Sequence, residues 1–155
     1  MINFIKLAFI LCSLLSISSI AIADDTHGSG KGFSSVVEST KIDGKSGYIV
    51  HNKVNDFWHY EKAPKGWPTA VMATCYQSLI FKADSKAPLA INMLCESVDA
   101  DGDANTWTAS VDPKTGVGTG VMTAGTGKYA NITVKPTFQT IYQIDTGHSV
   151  YKFKW

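Results

Sequence analysis

The acidic run Asp99-Ala100-Asp101-Gly102-Asp103-Ala104-Asn105 is the densest group of metal-capable side chains in the chain. Carboxylates on alternate residues are how calcium loops begin. Here glycine is fourth instead of sixth, and Ser110 stands twelfth in place of a bidentate glutamate, so an EF-hand is excluded. Two readings remain: a weak calcium site on a hairpin tip, or an acidic Asp-Gly turn. A second candidate is Gly125-Thr126-Gly127-Lys128-Tyr129-Ala130, which has the G-x-G-x-x-A form of a dinucleotide loop. The residues after it, Asn131-Ile132-Thr133-Val134-Lys135-Pro136, are rich in β-branched side chains and end in proline. No helix N-terminus therefore follows to face a phosphate. A P-loop fails too, because Met122 stands where its first glycine belongs and Tyr129 follows the lysine. The stretch reads as a glycine-permitted corner between strands, with Asn131-Ile132-Thr133 a glycosylation sequon in a eukaryotic host. His51 and His59 would lie roughly 26 Å apart along one strand, so no histidine metal site is expected.

The segment GYIVHNKVNDFWHYEK supplies the candidate binding residues. Read with a period of two, one face carries Tyr48, Val50, Asn52, Val54, Asp56, Trp58 and Tyr60, and the other His51, Lys53, Asn55, Phe57 and His59. The first face looks inward. Asn52 and Asp56 on it need hydrogen-bond partners, a bulge that turns them to solvent, or a place at a barrel rim. A buried Asp56 is a candidate general acid or base.

These residues must be positioned by a sheet. The chain is rich in Val, Ile, Thr and aromatics and is cut by Gly, Asp and Pro at short intervals, the pattern of an antiparallel sandwich or barrel. Expected strands are 32–40, 47–60, 69–81, 89–98, 106–111, 117–122, 132–144 (interrupted by Pro136) and 149–155. Eight strands suffice for a small closed barrel. Folding 69–81 back on 89–98 with Cys75 opposite Cys95 pairs Ala73 with Ser97, Gln77 with Met93, Leu79 with Ile91 and Phe81 with Leu89. That face is almost wholly apolar, so one register satisfies both a disulfide and the hydrophobic pattern. The ending Val150-Tyr151-Lys152-Phe153-Lys154-Trp155 alternates aromatics with lysines. In a membrane barrel the aromatics would face lipid; in a soluble barrel they would fill the core.

The first residues have the three parts of an export signal: Lys6, an apolar run from Leu7 to Ile20, and Ala21-Ile22-Ala23 before two aspartates. The run, broken by serines, falls short of the roughly 20 apolar residues a span requires. Residues 1–23 are therefore expected to be removed, with Cys12, leaving 24–155 as one secreted or periplasmic domain. An even pair of cysteines in an exported chain favours a disulfide over a metal. All 14 basic residues are lysines, and without Lys6 they equal the 13 carboxylates. With no net charge and no arginine fork, nucleic acid is not an expected partner. No motif requires a cofactor.

Cys75, Cys95 running into Asp99-Ala100-Asp101-Gly102-Asp103, Trp107, and Gly125-Thr126-Gly127-Lys128-Tyr129-Ala130 resemble, in that order, small exported bacterial proteins of unassigned function. Those proteins are similar in shape to the allene oxide cyclase and dirigent barrels. The resemblance covers roughly residues 70–142, with Asn131 and Val134 standing where such proteins place glycines. It implies an eight-stranded calycin-like barrel with an apolar cavity and transfers no catalytic residue. The combined expectation is an exported β-barrel that binds a small, largely apolar molecule through Asn52, Asp56, Trp58, Gln77 and Trp107. The alternatives are a cyclase or isomerase working in that cavity, or an interaction protein presenting exposed aromatics such as Trp67 or Tyr76.

Overall fold

The computed structural model describes residues 27–155. The leader, its cleavage after Ala23 and Cys12 lie outside them. The chain forms eight antiparallel strands: β1 (Ser29–Asp43), β2 (Gly47–Lys62), β3 (Ala70–Lys82), β4 (Ala90–Val98), β5 (Ala104–Val111), β6 (Val117–Gly125), β7 (Thr137–Gln143) and β8 (His148–Lys154). Each pairs with the next, and β8 returns to β1, so the sheet closes into an up-and-down barrel. Closure leaves no continuous sheet edge, which suits a chain whose strands are amphipathic on one face only.

The period-two pattern decides what points inward. On β2, Val54, Asp56, Trp58 and Tyr60 are buried while Asn55, Phe57 and His59 are exposed. The expected β3–β4 register is found, with Ala73 opposite Ser97, Gln77 opposite Met93, Leu79 opposite Ile91 and a disulfide joining Cys75 to Cys95. The Phe81–Leu89 pair is not part of the ladder, which ends at Ile80 and Ala90, because Leu89 already turns to donate its N–H to the Ile80 carbonyl (2.6 Å). On β8, Tyr151 and Phe153 are inside and Lys152 and Lys154 outside, the reverse of a lipid-facing wall. Among the described residues no helix is long and apolar enough to cross a membrane.

Two expected boundaries shift for physical reasons. The segment expected as one strand over 132–144 begins only at Thr137. Residues before it still run beside β6, where the Met122 and Gly120 amides bond the Val134 and Pro136 carbonyls (both 2.9 Å), but Pro136 has no N–H to return. β1 starts early, at Ser29, because Gly28, Gly30 and Gly32 lie beneath the rings of Trp155, Phe153 and Tyr151. A Cβ at any of the three would collide with the ring above it. Glycine on β1 is thus what lets β8 lay its aromatics flat against the neighbouring strand.

Those rings fill one end of the barrel. Tyr60 meets Phe153 at 5.6 Å and Trp155 at 6.0 Å between centroids, and Trp67 packs edge-on to Tyr129 at 5.0 Å. Such pairs contribute about 0.5–1.5 kcal/mol each beyond their buried area. Trp67, expected as an exposed aromatic, is instead half-buried in this plug, because the loop after β2 folds it under the barrel end. Tyr76 does face outward, 57% exposed.

Candidate functional site

The other end of the barrel is hollow. A cavity of about 360 Å³ runs from the plug residues Tyr60, Phe153 and Trp155, past Trp58, Trp107 and Tyr151, towards the hairpin loops after β3, β5 and β7. Its sides are aliphatic, formed by Val36, Val54, Leu79, Ile91, Met93 and Val111, with Phe138 and Pro136 from the β7 side. Polar groups are few: Ser34, Asn52 and Gln77 in the wall, and Thr140, Gln143, Thr146 and Ser149 towards the mouth. None of the described lining residues is charged. A volume of this order lies at the small end of the roughly 300–1,000 Å³ typical of ligand pockets, and the mostly apolar lining is also typical.

Four of the five residues expected to bind are in this wall: Asn52, Trp58, Gln77 and Trp107. Asn52 Nδ2 donates to Gln77 Oε1 at 3.4 Å, and Gln77 Nε2 lies 3.4 Å from the Met93 sulfur. The Asn52 Oδ1 atom has no partner among the described residues. Trp58 and Trp107 meet edge-on at 6.0 Å in the cavity wall.

Asp56 is in a different place. It faces inward and is buried, 6% exposed, but it is not in the cavity wall. Three donors cover it: Ser34 Oγ at 2.6 Å, Tyr151 Oη at 2.7 Å and Trp58 Nε1 at 3.1 Å. The Cys75 sulfur is 3.8 Å away, an apolar contact, since a disulfide sulfur has no proton to donate. No bulge or rim is needed to explain this buried carboxylate, because partners from β1, β2 and β8 satisfy it. Burial, and then the Asp56 charge beside it, push the Tyr151 phenol well above its ordinary pKa, so it stays protonated.

A parallel arrangement on β4 and β5 escaped the sequence reading. Ser97 Oγ donates to Asn105 Oδ1 at 2.7 Å, and Trp107 Nε1 donates to the same oxygen. Ser34 lies directly opposite Asp56, and Ser97 directly opposite Asn105. The signal was present: an acid or amide two residues before a tryptophan occurs as Asp56-Phe57-Trp58 and as Asn105-Thr106-Trp107. In each, the indole turns back along its own strand to the preceding inward residue.

Asp99, Asp101 and Asp103 do converge, but the cation between them is Lys128. Its ammonium lies 2.6 Å from Asp99, 2.7 Å from Asp101 and 3.2 Å from Asp103. Tyr129 Oη adds a hydrogen bond to Asp99 at 3.0 Å. Among the described residues no group of three His, Cys, Asp or Glu side chains could hold a metal ion, and the place of a weakly bound calcium among these aspartates is taken by the Lys128 ammonium. Burial works to raise the Asp99 pKa, but hydrogen bonds from Lys128, Tyr129 and the Asp101 and Asp103 amides outweigh it and hold it below the usual range. Lys128 is held above its usual value, chiefly by Asp101 and then Asp99. The glycine corner therefore carries a structural clamp. Gly127, at φ 47°, and Asn131, at φ 60°, occupy left-handed backbone, and a Cβ on Gly127 would strike the Asp103 carboxylate.

No protein-family model, curated protein or solved structure matches the chain.

Proposed function

We propose that this protein is an exported barrel that binds a small, uncharged, largely apolar molecule in the open half of its interior. The observation that carries this reading is the division of the barrel into an aromatic plug and a hollow of about 360 Å³ with no charged lining residue. A barrel of eight strands can be filled by its own side chains; small residues in the wall, Ala109 and Gly120 among them, leave this half unfilled. The leader and the disulfide support export, and the order of motifs together with the hollow half supports kinship with the allene oxide cyclase and dirigent barrels. A cyclase or isomerase role is less well supported, since Asp56 lies behind Ser34, Trp58 and Tyr151.

The experiment is native mass spectrometry of protein purified from the exported fraction, followed by thermal shift against neutral lipids and terpenoids. A ligand at a hundred times its Kd stabilises a fold by about 2.7 kcal/mol. Ala109→Trp, which adds an indole to the hollow, should fold and lose that shift. Equal shifts in both proteins would sink the cavity reading.

The interaction reading has one observation of its own. Tyr142, Val150, Phe33, Phe57, Met72 and Val98 are register partners in turn and form an apolar row on the outer wall across six strands. Met72→Lys should abolish any association through this row and leave ligand shifts intact.

A further inference from the structure

The hydrogen-bond directions in the wall carry more information than its apolar character. A carboxylate only accepts, and Ser34 and Tyr151 each have a single hydroxyl proton. Both protons are committed to Asp56, at 2.6 and 2.7 Å, which leaves only lone pairs on Ser34 Oγ and Tyr151 Oη. Trp58 also spends its N–H on Asp56, and Trp107 spends its own on Asn105. Higher in the wall Asn52 and Gln77 each keep a second amide proton, so that part can donate as well as accept. The Asn52 amide donates to Gln77, Gln77 donates towards Met93, and Asn52 Oδ1 is left as an acceptor without a partner. Two buried donors do lack described partners, Asn105 Nδ2 and Trp155 Nε1. Asn105 is outside the cavity wall. Trp155 lines the plug end of the same cavity, four residues beyond Tyr151 along β8, so its N–H is a donor available there, away from the Ser34 and Tyr151 hydroxyls.

From these directions we infer that Asp56 makes the Ser34–Tyr151 part of the cavity wall hydrogen-bond-accepting, so the ligand is a neutral, hydrocarbon-rich molecule that brings a hydroxyl or N–H donor to that point. Asp56 acts here as a positioning residue, since it fixes the protons of the two hydroxyls that the ligand would touch. A carbonyl or ether oxygen at the same place would meet lone pairs. A carboxylate or phosphate would also meet no cation in the wall. The inference rests on the reading of the cavity as a ligand site.

The test uses four neutral probes of similar shape, 2-naphthol, 2-methoxynaphthalene, 2-acetonaphthone and naphthalene, titrated calorimetrically into the full mature protein at neutral pH. The expected result is that 2-naphthol binds roughly tenfold tighter than the ether, the worth of one hydrogen bond in a dry site. In Ser34→Ala and Tyr151→Phe that preference should shrink towards unity, while affinity for naphthalene is retained. Ser34→Ala is the milder change and stands alone if Tyr151→Phe does not fold. If all four probes bind equally, or the ketone binds best, the acceptor wall is wrong and the cavity reading survives. If none of them binds, both fail together.

Discussion

Asp56 shows how much the identity of a buried group depends on residues far away in the chain. Its donors Ser34 and Tyr151 are 22 and 95 positions distant. Alternation along β2 is enough to place Asp56 on the inner face, yet it cannot say which hydroxyls arrive from β1 and β8 to cover it. For the same reason the three aspartates at 99–103 invite a calcium reading, because Lys128 reaches them only once β6 has returned. Asp56→Ala should cost about 3 kcal/mol in chemical denaturation, since Ser34, Trp58 and Tyr151 would all be left buried without an acceptor. Asp56→Asn, which keeps an acceptor oxygen, should cost less. The Asp99 clamp sets the acid limb of stability. Its folded pKa lies below the ordinary 3.8, so its contribution is present above that value and is lost as pH falls through the folded value. Asp99→Asn should be less stable than wild type at neutral pH, with the two melting curves drawing together as pH drops below about 3.8.

At the scale of elements, the sequence was most legible where two constraints had to agree. The β3–β4 register follows from the cysteines and the apolar alternation, each of which excludes a one-residue slip. It was least legible on β1. The expected first strand begins at residue 32 and leaves Gly28 and Gly30 unread, whereas Gly28, Gly30 and Gly32 are the seats for Trp155, Phe153 and Tyr151. The pairing was hidden because β1 and β8 lie at opposite ends of the chain. The two glycine-aromatic alternations could still have been matched as period-two patterns of complementary size. Gly32→Ala tests this. In an ordinary strand alanine is the better residue by roughly 0.5–1 kcal/mol. Here the added methyl would meet the Tyr151 ring, and the expected result is a loss of about 1–3 kcal/mol in urea unfolding.

For the whole molecule, the eight-strand fold class was within reach of pattern reasoning, but the hollow was not. Inward positions can be enumerated from sequence, whereas the space left between them depends on how far each side chain reaches across the barrel. Trp58 and Trp107, expected in a binding wall, and Tyr151, expected among the core aromatics, all line the hollow. The ends of the sheet meet as well: Gly28 and Trp155 exchange backbone hydrogen bonds of 3.3 and 3.0 Å. During synthesis β1 must therefore wait for β8 before the barrel can close, which gives the fold a high contact order and a slow closing step. It also makes the order of strands along the gene a matter of convention. A permuted chain with Trp155 tied to Gly28 through a short glycine-serine linker, and opened in the exposed turn between Lys114 and Thr115, should assemble the same barrel. Matching circular dichroism and intact Cys75–Cys95 pairing would show it. An unfolded permutant would mean that β5 and β6 must be contiguous for the sheet to close.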